Sequence, residues 1–276
     1  MLNSVIKKHD AVISVGVIEP HLYAGYSGGF KTVAIGLAGE KTINVTHGVK
    51  FLGDGRTRIG SINGNPFQDA LRDIASAVKI DFSVNVVNDS SGKAAGVFAG
   101  DTAIVFKKGV AASGRLFEIK ARKKADIVIC GIGYPKDINL YQASRAINYI
   151  VNTEDPVVKK SGVIIVAAEL KEGAGTSPAE KRFHRTLKRM GPAKKFIESV
   201  NGNDCLVGEH RTYMVAKAMC EYRVLFVSKC DGAIFNGLAI PCFKDMARAL
   251  RHAKRHAGEG AGIYVVPHTL STIATV

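Results

Sequence analysis

Three observations predict an α/β fold for this chain: short β-branched runs, helical patterns between them, and glycine- or proline-bearing turns at the junctions. Strands alternating with helices imply mixed or parallel sheets covered by helices. A length of 276 residues exceeds what one ordinary core organises, so two α/β domains are expected. The character of the chain changes across residues 113–124, which sets the domains at 1–118 and 119–276.

In the first domain, "AVISVGVI" (residues 11–18) reads as a buried strand. It ends at Glu19-Pro20, because proline cannot donate to a strand ladder. The stretch "TVAIGLAGEKTI" suits a short helix broken by Gly36 and Gly39. Asn65 is an N-cap and Pro66 fits the first turn of the helix that Ala70, Leu71, Ile74 and Val78 continue at a period near 3.6. "FSVNVV" and "AAGVF" flank "NDSSGK" as a β-hairpin, and Asp101-Thr102 opens a helix to about Gly109 or Ser113.

The second domain begins with strand "DIVICG" and the loop "GIGYPKDIN", followed by a helix over residues 140–151. Strands "GVIIVAA", "RVLFVS" and "GIYVV" alternate with helices near residues 178–190, 209–220 and 243–256. Ligands in such sheets bind beyond the carboxyl ends of the strands, so the loops after Cys130 and Ala168 are the places to look. Asp137 and Asn139 are candidates to cap the helix that follows, and "EGAGTS" (residues 172–177) is a candidate for phosphate or partner contact.

Bulk properties narrow the function classes. No apolar run approaches the ~20 residues that span a bilayer, and the N-terminus carries no signal-peptide pattern. Five cysteines, an odd count with no CxxC pair, suit reduced thiols in the cytoplasm rather than a disulfide framework or a zinc knuckle. The net charge of +14 is spread over helical faces such as "KRFHRTLKR" and "RALRHAKR". Without aromatic readout elements, it points to a phosphate-bearing ligand or an acidic partner more than to nucleic acid.

One segment concentrates chemistry. "EPHLYAGYSGGFK" (residues 19–31) holds His21, Gly25, Gly28, Gly29 and Lys31, and His47 follows sixteen residues after the lysine. Glycines after a strand can turn backbone N–H groups toward an anion. Lys31 offers a point charge or a nucleophilic amine. His21 and His47 are each a base, a metal ligand or a satisfied core histidine. The spacing is neither a Walker A loop nor GxGxxG. Elsewhere, His184, His210, His252 and His256 sit in basic helical surroundings and are expected to be solvated, while His268 follows a strand and could reach a ligand edge.

The segment 19–47 resembles the EPH-x-x-AG-[FY]-[ST]-GG-x-K block of the nickel-dependent lactate racemase family, the nickel-pincer-nucleotide 2-hydroxyacid racemases and epimerases. A second block, "GYPKDINLYQ" at residues 133–142, resembles the family's GYP-x-D-x-N-x-YQ. The resemblance implies a racemase or epimerase of a small 2-hydroxy acid. Its cofactors are nickel and pyridinium-3,5-bisthiocarboxylic acid mononucleotide, the nickel-pincer nucleotide. By the same resemblance Lys31 is the cofactor tether, His47 the nickel ligand and His21 a catalytic histidine. Gly28, Gly29, Tyr141 and Gln142 lie at the cofactor, and Gln142 and Arg145 at the substrate. Residues 1–118 are then the remainder of the cofactor-binding N-terminal domain. The implied chemistry takes the α-hydrogen as hydride, with a histidine removing the hydroxyl proton and a transient 2-keto acid receiving hydride on its other face.

Two departures from the family pattern stand out. Only eighteen residues precede Glu19, and nothing in them, His9 included, resembles the family's D-x-x-R motif or its second catalytic histidine. A chain of this form is expected to be a fragment, a sequence with a misplaced start, one subunit of a split enzyme whose second chain supplies the N-terminal segment, or a cofactor-binding subunit that has lost turnover. Exposed apolar surface is expected where the missing segment packs. Arg145 replaces the family's usual lysine; it keeps the charge and can grip a carboxylate through two hydrogen bonds.

Overall fold

The structure, a computed structural model, describes residues 2–200 and 205–276. It divides into two compact units, Met1–Glu118 and Ile119–Val276.

The first unit contains strand β1 (Ile13–Val17), the short strands β2 (Pro20–His21) and β3 (Gly25–Tyr26), and helices α1 (Lys31–Ala34), α2 (Glu40–Thr46), α3 (Val49–Leu52) and α4 (Pro66–Ser76). Strands β4 (Phe82–Asn88) and β5 (Ala94–Gly100) follow, then helix α5 (Thr102–Phe117). Its main sheet has the order β1-β4-β5, with β1 parallel to β4 and β5 antiparallel. The expected hairpin is therefore present. The α4 and α5 starts are set by their caps: Asn65 Oδ1 accepts from the N–H groups of Phe67 and Gln68, and Asp101 Oδ1 from those of Ala103 and Ile104. Helix α5 runs on to Phe117, past the glycine and serine expected to stop it. Gly109 sits where a Cβ would meet Ile18 Cδ1 at 2.2 Å, so this glycine serves close packing rather than termination.

The second unit continues with β6 (Glu118–Lys120), β7 (Ala125–Gly131), α6 (Leu140–Ala143), α7 (Arg145–Val151), β8 (Val158–Ala167), α8 (Pro178–Arg189), α9 (Ala193–Ser199) and α10 (Glu209–Met219). It ends with β9 (Arg223–Val227), β10 (Cys242–Phe243), α11 (Met246–Ala257), β11 (Ile263–Val266) and β12 (Ile273–Thr275). Five strands form a parallel sheet of order β10-β9-β8-β7-β11. Ile127, Val163, Ile165 and Leu225 pack on one face against Ala249 and Ala253 of α11. The alternate residues Val128, Ile164, Val166 and Phe226 are equally buried on the other face. Both faces are covered, as parallel strands require.

The first unit differs. Strand β1 was expected to be buried, yet Ile13, Val15 and Val17 are exposed and only Ser14 between them is buried. Helices α5 and α1 pack on this sheet, and among the described residues its other face is exposed. The expected single helix over residues 140–151 is also divided, at Ser144, whose hydroxyl donates to the Tyr141 carbonyl. Such back-bonding competes with the helical ladder. No helix among the described residues is long and apolar enough to cross a membrane.

Candidate functional site

Proline ends β1, and the chain reverses through the β2–β3 pair, in which His21 lies opposite Gly25. This turn fixes the ring of His21. Its Nδ1 accepts N–H groups from Tyr23 at 3.3 Å and Ala24 at 3.2 Å. With Nδ1 engaged as an acceptor, the neutral imidazole carries its proton at Nε2.

His47 is held the other way. It closes the C-terminus of α2, and its Nδ1 lies 3.0 Å from the Ile43 carbonyl oxygen and 3.1 Å from Thr46 Oγ1. A carbonyl only accepts, so Nδ1 is the protonated nitrogen and Nε2 keeps its lone pair. A backbone carbonyl on one nitrogen orients the other as a metal ligand and raises its basicity. Both histidines pack on the same two rings. Tyr23 meets His21 at 5.8 Å and His47 at 5.6 Å between centroids, and Phe67 meets them at 6.4 Å and 5.3 Å.

Lys31 opens α1, its N–H donating to the Gly28 carbonyl at 3.1 Å. The two glycines before it have positive φ and no room for a side chain. A Cβ on Gly28 would lie 2.5 Å from Asn85 Oδ1, and one on Gly29 would lie 2.7 Å from the Phe106 ring. The Gly29 N–H donates to Asn85 Oδ1 at 2.9 Å. The glycine turn is thus seated on β4 and α5, and this seat fixes where Lys31 begins. His21, Lys31 and His47 are all half-buried, so a ligand can reach them. Nearby, Tyr26 donates to Glu118; burial, reinforced by that carboxylate, pushes its hydroxyl far above the usual tyrosine range.

Asn65 ties this half of the site together. While its Oδ1 caps α4, its Nδ2 donates to the Tyr23 carbonyl at 2.7 Å and the Ser61 carbonyl at 2.9 Å, and the residue is fully buried. Replacing Asn65 with alanine removes the cap and leaves those acceptors bare. The expected loss is about 2–4 kcal/mol, measured as faster hydrogen exchange in α4 together with the 21–26 turn. Loss confined to α4 would show that the turn does not depend on Asn65.

In the second unit, the loop after β7 leads into α6, which starts with Asn139 as its cap. Asn139 Oδ1 accepts from the Gln142 N–H at 3.0 Å, and its Nδ2 donates to Glu180 Oε1 at 3.0 Å and Glu172 Oε2 at 3.5 Å. Of the two candidate caps, Asn139 does the capping, while Asp137 contributes its carbonyl to the Leu170 N–H. Glu180 also accepts from the N–H groups of Thr176 and Ser177. Partial burial of its carboxyl opposes ionisation, but these donors outweigh it and hold the pKa below the ordinary glutamate value. The "EGAGTS" loop is thereby fastened to the second block.

That frame presents Tyr141, Gln142 and Arg145, all half-buried. Arg145 Nη1 donates to Gln142 Oε1 at 3.4 Å, and its guanidinium lies 5.9 Å from the Tyr149 ring centre. The Tyr141 ring stands edge-on to Phe183 at 5.5 Å and has the Arg211 guanidinium 5.3 Å above it. A planar cation beside an amide suits a carboxylate.

Among the other histidines, His210 was expected in solvent but is buried, its Nδ1 accepting from the Gly208 N–H. His184 donates through Nε2 to the Ile234 carbonyl at 2.7 Å and is half-buried. The His252 ring meets His256 edge-on at 5.1 Å between centroids; burial first, then Arg255, lowers its pKa. Sequence reasoning passed over Tyr23, Phe67 and Arg211. Tyr23 sits within the first block and could have been noticed. Arg211 lies seventy positions from the ring it covers, with no local signal. No group of three or more His, Cys, Asp or Glu side chains among the described residues could hold a metal by itself.

Comparison with known proteins places these features in context. Residues 120–274 match the lactate racemase C-terminal domain, and residues 1–60 match the lactate racemase N-terminal domain. The chain is 29% identical to the lactate racemase of Lactiplantibacillus plantarum over 277 aligned residues, and 28% identical to that of Thermoanaerobacterium thermosaccharolyticum over 274. Each alignment covers 99% of this chain but 63% of the relative. The structure of the T. thermosaccharolyticum lactate racemase apoprotein superposes with a TM-score of 0.89, covering 100% of this chain and 65% of that one at 28% identity. A Thermotoga maritima protein, 15% identical, shares the fold with a TM-score of 0.74 over 99% of this chain and 68% of its own.

Proposed function

The chain belongs to the lactate racemase family, and we propose that it serves a racemase or epimerase of a small 2-hydroxy acid, working by hydride transfer with a nickel-pincer nucleotide tethered to Lys31. The observation that carries this reading is the opposite locking of two histidines on one pair of rings. His47, with Nδ1 bonded to the Ile43 carbonyl, carries its lone pair at Nε2, the nitrogen through which a metal would be bound. His21, with Nδ1 accepting two backbone N–H groups, has its proton at Nε2.

The residues fit the cofactor that the family resemblance implies. A single imidazole donor suits a metal whose remaining donors come with its own ligand, and imidazole suits nickel(II). When bound, that group would accept hydride from the α-carbon and return it. Lys31 would keep the group in place through its amine. His21 would meet the substrate's hydroxyl oxygen through Nε2. With its proton there the ring donates a hydrogen bond to that oxygen. To take the hydroxyl proton it must switch to the tautomer with the proton on Nδ1, releasing the Tyr23 and Ala24 N–H contacts and baring the Nε2 lone pair. Tyr23 and Phe67 keep both imidazoles in position and exclude water from their ring faces. In the second unit, Arg145 beside Gln142 is the proposed grip on the substrate carboxylate, with Arg211 and Phe183 fixing the ring of Tyr141. A cytoplasmic location is part of the same reading and is supported by the odd count of five cysteines with no CxxC pair.

Coexpression with the enzymes that make the nucleotide, followed by peptide mass analysis, tests the tether. A mass gain is expected on the peptide containing Lys31, absent from Lys31→Ala. An unmodified Lys31 in folded protein would overturn the reading. The chain spans about 63% of the curated relatives' length. A second reading is a cofactor-binding subunit without turnover. It predicts the adduct and nickel but no exchange of the substrate α-hydrogen, even with the relatives' remaining segment supplied.

A further inference from the structure

A cavity of about 240 Å³ lies in the second unit, at the amino ends of three neighbouring parallel strands. Lys124 stands just before β7, Val158 begins β8 and Tyr222 stands just before β9, and all three line it. The last turns of α7 and α10 close it through Val151 and Lys217. The second block follows the opposite, carboxyl end of β7. A ligand in this cavity would therefore occupy a different place from the proposed substrate.

The described lining carries three lysines, Lys124, Lys160 and Lys217, against one carboxylate, Glu221. Lys217 sits where its charge complements the end of the α10 dipole, and Lys124 is paired with Asp155. Lys160, on β8, is exposed and makes no ion pair among the described residues. Tyr222 adds a hydroxyl. Burial first, then Glu221 and Asp155, raises its pKa, so it keeps its proton and can donate. No arginine is among the described lining residues. Lysines meet phosphate as point charges, whereas a planar carboxylate is met best by the arginine fork. The volume lies below the roughly 300 Å³ at which pockets for drug-sized ligands begin, so the ligand is small.

A second observation points to a ligand donor. Asn148, on α7, lines the same cavity and is 1% exposed. Its Nδ2 donates to the Met214 carbonyl at 3.0 Å, which fixes the orientation of the amide. Its Oδ1, equally buried, has no hydrogen-bond partner among the described residues. A buried acceptor left in that state is costly, and a hydroxyl donor relieves it.

We propose that this cavity binds a small phosphate monoester bearing a free hydroxyl, with the phosphate at Lys160 and Lys217 and the hydroxyl donating to Asn148 Oδ1. The proposal does not rest on the nickel chemistry above, and its test reads binding in the second unit.

The probes are glycerol 3-phosphate and methyl phosphate, titrated into the whole chain by calorimetry and followed by hydrogen exchange. Glycerol 3-phosphate should bind and slow exchange across residues 148–152 and 215–222. Methyl phosphate keeps the charge but lacks the alcohol hydroxyls, and should bind about threefold to tenfold more weakly. Lys160→Glu should weaken glycerol 3-phosphate by about tenfold or more and leave the chain's melting curve in place, because the side chain is exposed. Absence of binding would overturn the proposal, as would equal affinity for the two probes or affinity that survives Lys160→Glu. So would protection falling on residues 25–34, which would put the phosphate at the glycine turn, or on residues 133–145, which would put it at the second block.

Discussion

Replacing Gly25 with alanine is expected to cost the first unit about 3 kcal/mol or more, while the same change at Gly64 costs about 1 kcal/mol. Both glycines have positive φ, +75° and +65°, and alanine pays roughly 1–2 kcal/mol to adopt that region. They differ in what surrounds them. A Cβ on Gly25 would lie 2.0 Å from the Ser61 carbonyl oxygen and 3.1 Å from its nitrogen, whereas one on Gly64 meets nothing within 4 Å. Backbone cannot swing aside as a side chain can, so the segment around Ser61 must move. That segment is tied to the site: the Gly60 N–H donates to the Gly25 carbonyl, and the Ser61 carbonyl accepts from Asn65. Gly25 also faces His21 across the β2–β3 pair. Gly25→Ala should therefore disturb the histidine as well as the stability. Hydrogen exchange of β4, which reports the first unit separately, measures the difference between the two variants. Equal losses would show that the close approach at Ser61 relaxes easily and that only the backbone conformation matters.

The same geometry explains which parts of the molecule were legible in the sequence. The α4 start and the Asp101 cap depend on residues within four positions of one another, and the 82–100 hairpin on the short turn that joins its strands, so their chemistry is local. The β7 and β8 loops that carry the second block follow from the rule for parallel sheets. Strand β1 was recognisable as a strand, but its apolar residues say only that they suit burial. They do not say what covers them, and among the described residues Val15 is left exposed. The break at Ser144 turns on one hydroxyl choosing a carbonyl. The protonated nitrogen of His21 and of His47 depends on a reverse turn in one case and a helix end in the other, so the residue type alone left base, ligand and core histidine equally open. The pairing of Tyr141 with Arg211 is a tertiary contact that no spacing encodes.

His47→Ala should separate metal retention from cofactor attachment. If His47 is the protein's nickel ligand, its loss should weaken nickel binding by more than the roughly 10- to 100-fold typical of losing a mere second-layer partner. The tether at Lys31 should survive, because it is a covalent bond made by a different residue. Metal analysis and intact-mass measurement on the same protein then give a distinctive pattern: adduct without nickel for His47→Ala, neither for Lys31→Ala. Thr46→Val is the control for orientation. Thr46 Oγ1 lies 3.1 Å from His47 Nδ1, but the Ile43 carbonyl is at 3.0 Å and remains after the change. The imidazole keeps its proton on Nδ1 and its lone pair on Nε2, and nickel content should fall little. Full nickel retention in His47→Ala, with the adduct present, would remove His47 from the metal site and leave its carbonyl-bonded ring as a helix-end contact. A loss of both nickel and adduct in folded His47→Ala would instead mean that the imidazole is needed before the tether forms, with the nucleotide held first by its metal and joined to Lys31 afterwards.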